Sequence, residues 1–166
     1  MKLCQAAAVL VLVCTTTLSA KDYTHKASGL KFTLPTGWTC KETKGKLEID
    51  NADKSLAVVG GVIPKENAKA IFADIQKFLD QLDGLDDVEV TGGPEKETVN
   101  GLEQAWYEGT ATVKTDDKTE EIELDLTVIT GGKEILFLVG IGKLDDNEEA
   151  YEKFFESIEK IEVDAE

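Results

Sequence analysis

Three alternating runs of apolar and polar residues between positions 96 and 142 constrain the fold of this 166-residue chain more than any other feature. Three turn signals punctuate this region: Asn100-Gly101, Asp116-Asp117 and Gly131-Gly132. Asn-Gly is a preferred two-residue hairpin turn, and such pairs between alternating runs indicate hairpins. The pattern therefore predicts a meander of long strands, roughly 96–114, 118–130 and 133–142.

The register of these strands follows if the second and third turns each contain two residues. The first set of predicted partners is Ala111 with Ile122, Gly109 with Leu124, Tyr107 with Leu126, and Ala105 with Val128. The second set is Val128 with Ile135, Leu126 with Phe137, and Leu124 with Val139. All these residues then share one face, and a one-residue slip would send them to the other. Leu136 and Leu138 point away from it, which predicts that the second face is also partly covered.

The rest of the chain predicts shorter strands and two amphipathic helices. Strands are expected at 29–35, 46–50, 56–63 and 88–90, after a polar lead-in at 21–28. Gly60-Gly61 marks a bulge or a close backbone approach. Apolar residues at three- and four-residue spacings predict helices at 66–83 and at about 146–160. The expected fold class is α+β, with an antiparallel β-sheet meander flanked by two amphipathic helices in a three-layer sandwich.

The first twenty residues are typical of a secretory signal peptide. Lys2 is followed by an apolar run and then by small polar residues, so cleavage is expected after Ala20. The run is too short to span a bilayer. Cys14 follows the branched Val13, whereas bacterial lipidation signals have a small residue there, so a lipid anchor is disfavoured. We expect residues 1–20 to be a signal peptide and 21–166 a single domain that is periplasmic or extracellular.

The charge of the chain bears on its partners. There are 18 basic residues, all of them Lys, and 33 acidic ones. Without the signal, which holds one Lys and no acid, the balance is 17 minus 33, or −16. A negative surface without the planar arginine fork makes nucleic acid and anionic membranes poor partners. A basic protein partner or a cation fits better, and solubility alone remains the other interpretation.

No familiar catalytic set is present. Cys40 is the only cysteine outside the signal and His25 is the only histidine, and nothing in their spacing places them together. Cys40 is therefore either a buried apolar residue or a reactive thiol. The serines at 28, 55 and 157 have no visible base, and neither a phosphate-binding loop nor a zinc motif is found. The sequence predicts a protein that is not an enzyme and holds no cofactor.

The predicted register creates one candidate ligand or cation face. Glu108 falls opposite Asp125, Glu123 falls opposite Thr110, and Trp106 lies on the same face. Like charges directly opposite each other on neighbouring strands are destabilising, so a function of this pair would explain why both acids are present. It could hold a cation or an amine beside the aromatic ring, or act as an acid/base pair with split pKa values. The alternative is a solvated outer face.

A second group of acids gives a weaker metal candidate. Asp80, Asp83, Asp86 and Asp87 cluster at the end of the first predicted helix, and another acidic run precedes the second. Neither matches the spacing of a calcium loop, and acids at a helix N-terminus already have a favourable dipole. We expect no metal, with Ca²⁺ at the first cluster as the alternative.

The segment Gly29-Leu30-Lys31-Phe32-Thr33-Leu34-Pro35-Thr36-Gly37-Trp38 resembles the opening of PsbP-like domains, in which an apolar strand runs into Pro-x-Gly-Trp. The order of elements is also similar. That family includes photosystem extrinsic subunits, a yeast Ran-binding release factor and exported bacterial proteins of unclear role. Its members mostly bind other proteins and share no catalytic set. The resemblance implies a structural role for Pro35, Gly37 and Trp38.

Two functions are therefore expected from the sequence. The first is an exported, non-enzymatic accessory or binding domain that docks a protein partner, possibly basic, in the cell envelope. The alternative is a small-ligand or cation-binding protein that uses the acidic face near Trp106.

Overall fold

The computed structural model describes residues 20–82, 84–114, 118–142, 148–158 and 160–164. The predicted signal peptide, the Asp116-Asp117 turn and the start of the second predicted helix fall outside the described residues. The strands are β1 Lys21–His25, β2 Leu30–Leu34, β3 Thr39–Thr43, β4 Lys46–Asp50, β5 Leu56–Ile63, β6 Asp86–Val99, β7 Leu102–Lys114, β8 Thr119–Ile129, β9 Ile135–Gly142 and β10 Glu162–Val163. The helices are α1 Ala68–Ala73, α2 Ile75–Leu79 and α3 Glu148–Ile158, and a 3₁₀ turn spans Lys65–Asn67.

Two antiparallel sheets organise these strands. The larger sheet has the order β3-β4-β5-β9-β8-β7-β6, and the smaller has the order β1-β2-β10. Each strand of the meander pairs with the next one along the chain, from β6 to β9. The prediction of an antiparallel meander is confirmed.

The hairpin between β6 and β7 forms at the predicted turn. Val99 pairs with Leu102 across Asn100 and Gly101, whose φ angles are 51° and 80°. Positive φ at both central residues is the geometry for which Asn-Gly is preferred. The register between β7 and β8 also agrees with all four predicted pairs.

The register between β8 and β9 was predicted wrongly by two residues. The observed partners are Leu126 with Val139, Val128 with Phe137, and Leu124 with Ile141. The connection spans residues 130–134 and is longer than the assumed two-residue turn. It is tied to its surroundings, since Lys133 N donates to Ser28 O at 2.6 Å and Thr130 N donates to Glu103 O at 2.8 Å. A shift of two preserves side-chain alternation, so every residue keeps its predicted face.

The strand β6 corrects two expectations. The short strand at 88–90 and the segment from 96 onward form one continuous strand. Irregularities interrupt its pairing with β7 between Asp86 and Glu89, between Val90 and Gly92, and between Gly92 and Glu95. These bulges let the strand continue through Gly92-Gly93-Pro94, which lies between the two predicted strand segments.

The first predicted helix is two short helices. At Asp74 the backbone leaves the helical region, with φ −150° and ψ 75°. The Asp74 carboxylate then accepts a hydrogen bond from Lys77 N at 3.1 Å and caps α2. Aspartate is a favoured N-cap, so a residue on the polar side of the single predicted helix starts a second helix instead.

Several short strands were missed. The polar lead-in is the strand β1, which pairs along its whole length with β2. Its inner side carries Tyr23, whose ring centroid lies 5.4 Å from that of Phe32, and His25, which is fully buried. β3 and β10 add edge strands to the two sheets. Close backbone approach at Gly60 is confirmed, because an added Cβ would lie 2.9 Å from Phe137 O.

Two apolar clusters lie on opposite faces of the meander. The α2-side core includes Ala105, Tyr107, Leu124, Leu126, Val128 and Val139, with Phe78 and Leu79 from α2. The α3-side core includes Leu102, Ile129, Leu136, Leu138, Phe154 and Ile158, together with Leu30, Phe32 and Leu34 from the small sheet. The predicted placement of Leu136 and Leu138 away from the main apolar face is confirmed.

The α+β class with a mainly antiparallel sheet is confirmed, but the structure is not clearly the predicted three-layer sandwich with two helices. Strands dominate the chain, and α1 and α2 are only six and five residues long. The small sheet shares the second face with α3, because β2 supplies three fully buried apolar side chains. Among the described residues, no helix has the length and apolar character needed to cross a membrane.

Candidate functional site

The predicted acidic pair forms on the α3 side of the meander. Glu108 on β7 pairs directly with Asp125 on β8, and Trp106 pairs with Thr127. Glu108 is exposed, whereas Asp125 and Trp106 are half-buried. Side-chain alternation places all three on the face opposite Tyr107 and its core. The register thus brings together the residues that the sequence singled out.

A cavity of about 520 Å³ lies over this pair. Its walls come from β6, β7, β8 and α3, and they include Trp106, Glu108 and Asp125. Phe155 and Ile158 of α3 supply an apolar wall. Glu123 does not line the cavity, although its charge acts on Asp125. Concave sites with apolar walls and a few convergent polar groups are the usual form of ligand sites.

Tyr151 on α3 contacts Asp125, one member of the acidic pair. Its hydroxyl donates a hydrogen bond to Asp125 Oδ2. Burial raises the pKa of Asp125 above its ordinary value of 3.8; the Tyr151 hydrogen bond opposes this, and the charges of Glu108 and Glu123 add to it. Burial and the neighbouring Asp125 raise the pKa of Tyr151, so the phenol stays protonated as a donor. One carboxylate oxygen of Asp125 is therefore committed to the protein.

The charge of the lining is negative. Glu95 and Glu97 on β6 join Glu108 and Asp125, and none of the described residues that line the cavity is basic. Four carboxylates around one cavity repel each other and attract a cation. The lining therefore supplies charge for a positive ligand group.

Glycines on β6 allow the cavity wall to come close to β7. An added Cβ on Gly92 would lie 2.9 Å from Glu108 Oε2, and one on Gly93 would lie 2.5 Å from Trp106 O. Gly93 also has a φ of 94°, which side chains rarely adopt. Gly93 is thus required by the close approach to the Trp106 backbone, whereas a side chain at Gly92 would displace the end of the Glu108 side chain.

Gln104 is the site residue that sequence reasoning missed. It lies two positions before Trp106 on the same face of β7, lines the cavity and is 2% exposed. Neither its Nε2 nor its Oε1 has a hydrogen-bond partner among the described residues. Buried amides normally form hydrogen bonds, so the Gln104 amide is an exception, and it lies at the cavity. A polar residue between Leu102 and Trp106 in the alternation was the available signal.

The acidic cluster after the first helices does not gather in the described part of the structure. Asp80 accepts a hydrogen bond from Gln76 Nε2, Asp86 forms an ion pair with Lys114 at 3.1 Å, and Asp87 accepts a hydrogen bond from Thr112 Oγ1. Asp83 lies outside the described residues. Within residues 20–82, 84–114, 118–142, 148–158 and 160–164, no group of three or more His, Cys, Asp or Glu side chains could hold a metal ion.

His25 lies at the turn between β1 and β2, and Cys40 on the neighbouring strand β3. Cys40 is half-buried, and burial raises the pKa of its thiol, so it lacks the activation of a nucleophile. Contrary to expectation, Ser28 does contact a base, because His25 Nδ1 lies 3.0 Å from Ser28 Oγ. Both side chains are fully buried, and burial lowers the pKa of His25. A substrate has no access to this pair in the described conformation.

The Pro-x-Gly-Trp motif forms a tight turn. Trp38 N donates to Pro35 O at 3.1 Å, and Gly37 has a φ of 86°. The indole of Trp38 stacks on Phe154 of α3, with ring centroids 5.2 Å apart and an interplanar angle of 18°. The motif joins the small sheet to α3 across the α3-side core.

No protein-family model and no curated protein sequence matches the chain. Its fold is similar to the solution structure of cyanobacterial PsbP (CyanoP) from Synechocystis sp. PCC 6803, with a TM-score of 0.57 and 16% identity over 98% of both chains. It is also similar to a crystal structure from Bacteroides thetaiotaomicron VPI-5482, with a TM-score of 0.51 and 13% identity. That match covers 89% of this chain and 50% of the other. The chain therefore has the PsbP-like fold that its opening motif resembles.

Proposed function

We propose that this protein is an exported, non-enzymatic binding domain that docks a basic protein partner in the cell envelope through its acidic cavity. The observation that carries the proposal is a set of four carboxylates around a space of about 520 Å³, with no basic side chain among the described residues that line it. Keeping like charges together costs stability, and a cationic partner would offset that cost.

Binding fits the site better than catalysis does. Asp125 of the acidic pair is held in place by Tyr151, whose hydroxyl donates a hydrogen bond to it. The one serine–histidine contact, between Ser28 and His25, is fully buried. What the cavity offers is charge, an aromatic surface and hydrogen-bonding groups, which are the means of recognition.

A direct titration tests the docking function. The purified chain is titrated with a lysine-rich peptide and with a glutamate-rich peptide of equal length, at low and high salt. We expect only the basic peptide to bind, with an affinity that Glu108→Gln lowers and that salt screens. Glu121→Gln is the matched control, since Glu121 is exposed on β8 and does not line the cavity. Equal losses in both variants would reduce the proposal to general surface charge.

A small cation or amine is the second candidate ligand. The half-buried Trp106 beside the acidic pair favours it, because an aromatic face next to carboxylates suits an ammonium group. Tryptophan fluorescence against a panel of metal ions and amines is the test. Saturable binding of an amine without binding of the basic peptide would replace the first proposal by this one.

Export of the protein is part of the same proposal. Cleavage after Ala20 would deliver residues 21–166 to the periplasm or the medium, without a lipid on Cys14. Mass spectrometry of the mature N-terminus tests this, and a lipidated Cys14 would overturn it.

We also propose that α1 and α2 form the outer layer on one side of the meander, and that α3 with the small sheet forms the outer layer on the other side.

A further inference from the structure

We infer that the cavity takes a lysine residue of the partner, with its ammonium group at Glu108 and Asp125 and its peptide group at Gln104. This inference rests on the proposed function, because it specifies the chemistry of the docked group. It is carried by the unpartnered amide of Gln104, which the acidic pair by itself does not explain.

The Gln104 amide defines one end of the ligand. It offers one donor, Nε2, and one acceptor, Oε1, and both are without partners among the described residues. Leaving such groups buried and unpaired is costly, so their natural complement is a ligand group that supplies both an acceptor and a donor. A peptide or carboxamide group does this in one plane. An ammonium ion, which only donates, leaves Nε2 unsatisfied.

The carboxylate pair defines the other end. One oxygen of Asp125 accepts a hydrogen bond from Tyr151, and Glu108 faces Asp125 from the adjacent strand. A planar guanidinium binds best to both oxygens of a single carboxylate, whereas an ammonium group spreads three donors in a cone. Here the two carboxylates lie on separate strands, and one oxygen of Asp125 already accepts a hydrogen bond from Tyr151. This arrangement fits an ammonium group better than a guanidinium.

The space between the two ends fits an alkyl chain. Gln104 and Glu108 are four positions apart on β7, so their Cα atoms are about 13 Å apart at a rise of 3.3 Å per residue. A ligand that forms a hydrogen bond at each end has to span less than this, because each hydrogen bond covers about 3 Å. Trp106 lies midway on the same face, and Phe155 and Ile158 face it from α3. Methylene groups pack on such surfaces while their charged end stays with the carboxylates. A lysine residue has this order of groups: a peptide group, four methylenes and an ammonium.

Three small probes separate the two ends. 6-Aminohexanamide carries both the ammonium and the amide, hexylammonium lacks the amide, and hexanamide lacks the charge. By calorimetry on the purified chain, we expect 6-aminohexanamide to bind about tenfold more tightly than hexylammonium, in spite of its lower hydrophobicity. We expect hexanamide to bind most weakly. This comparison needs no variant, so it stands even where a substitution impairs folding.

Two variants then assign each end. Gln104→Met keeps the length of the side chain, and we expect it to remove the advantage of 6-aminohexanamide while hexylammonium binds as before. Glu108→Gln should weaken both ammonium compounds about tenfold, and Glu121→Gln should weaken neither. Gln104→Met should also raise the midpoint of thermal unfolding, because it removes an unpaired buried amide.

The outcomes separate the inference from the proposed function. Equal binding of the two ammonium compounds to the wild-type chain, with sensitivity to Glu108→Gln, would overturn the lysine assignment and leave a cation-binding cavity. Equal binding of hexanamide and 6-aminohexanamide would also overturn it. Absence of binding by both ammonium compounds and by the lysine-rich peptide would overturn the docking function too.

Discussion

The two faces of the β7–β8 ladder have the same strands and the same register but opposite character. On the α2 side, Tyr107, Leu124 and Leu126 are buried in a continuous apolar core. On the α3 side, the buried amide of Gln104 has no hydrogen-bond partner among the described residues, and Glu108 faces Asp125. One face follows every rule of stable packing and the other breaks two of them. Such local conflicts are expected where a protein keeps a site at the expense of stability.

The largest effect is expected from a core truncation on the α2 side. Leu126 is 1% exposed, and Leu126→Ala should lower the free energy of unfolding by about 2–5 kcal/mol through lost burial and a cavity. Urea unfolding followed by circular dichroism measures it. If the two faces are separate in function, the folded fraction of this variant still binds ammonium probes with wild-type affinity. A loss below about 1 kcal/mol would contradict the packing described for this face.

The opposite sign is expected on the α3 side. Glu108→Gln should raise the free energy of unfolding by about 0.2–1 kcal/mol, because it removes a like charge directly across from Asp125. The same change should reduce cation affinity about tenfold. Paired unfolding and calorimetric titrations measure both, with Glu121→Gln as control. A variant that loses stability and keeps its affinity would show that Glu108 is a structural residue.

The helix break on the α2 side offers a smaller test. Asp74 caps α2 through Lys77 N at 3.1 Å, so Asp74→Ala should lower the free energy of unfolding by about 1 kcal/mol. Since α2 packs on the face away from the cavity, probe binding should not change. Asp74→Asn, which retains a capping oxygen, should recover most of the stability. A full loss in Asp74→Asn would argue against capping as the cause.

The pH dependence is the most modest effect and concerns Asp125. Its pKa in the folded protein is raised above 3.8, mainly by burial. A raised carboxyl pKa contributes stability at low pH, below the unfolded value, and that contribution is lost as pH rises through the folded value. Cation binding has the opposite trend, because it needs the ionised form: affinity should fall as pH decreases through the raised pKa, by at most about tenfold per unit.

Titrations of affinity and unfolding against pH check this expectation. Asp125→Asn should flatten the dependence that this carboxyl contributes to both curves, while Glu121→Gln should keep it. An affinity curve of Asp125→Asn that matches the wild type would assign the titration to another group.

The alternation of the sequence was sufficient for the parts of the fold that depend on local pattern. The Asp116-Asp117 turn signal and the apolar period were sufficient to predict the β7–β8 register, and with it the pairing of Glu108 with Asp125. The Gly131-Gly132 pair indicated where β8 and β9 reverse but not the length of the connection, because that length depends on the hydrogen bond between Lys133 and Ser28. A contact between distant segments leaves no periodic signal.

The missed site residues have the same explanation. Gln104 in a strand is ordinarily interpreted as an exposed polar residue, and it becomes a buried one only after α3 covers that face. Tyr151 lies on a separate helix, 26 positions from the carboxylate that it holds. Asp74 fits the polar side of one long helix as well as it fits a cap. In each case, tertiary contacts decide which of two structural roles the residue has.

The most direct measurement is a titration of the isotope-labelled chain with hexylammonium followed by NMR. Saturable shifts are expected in the Trp106 indole and in the backbone signals of Glu108, Asp125 and Tyr151, while those of Tyr107 and Leu126 on the other face stay in place. The shifts should weaken in Glu108→Gln. Shifts spread evenly over acidic residues of both faces, or no saturation, would contradict a cation site on the α3 side of the ladder.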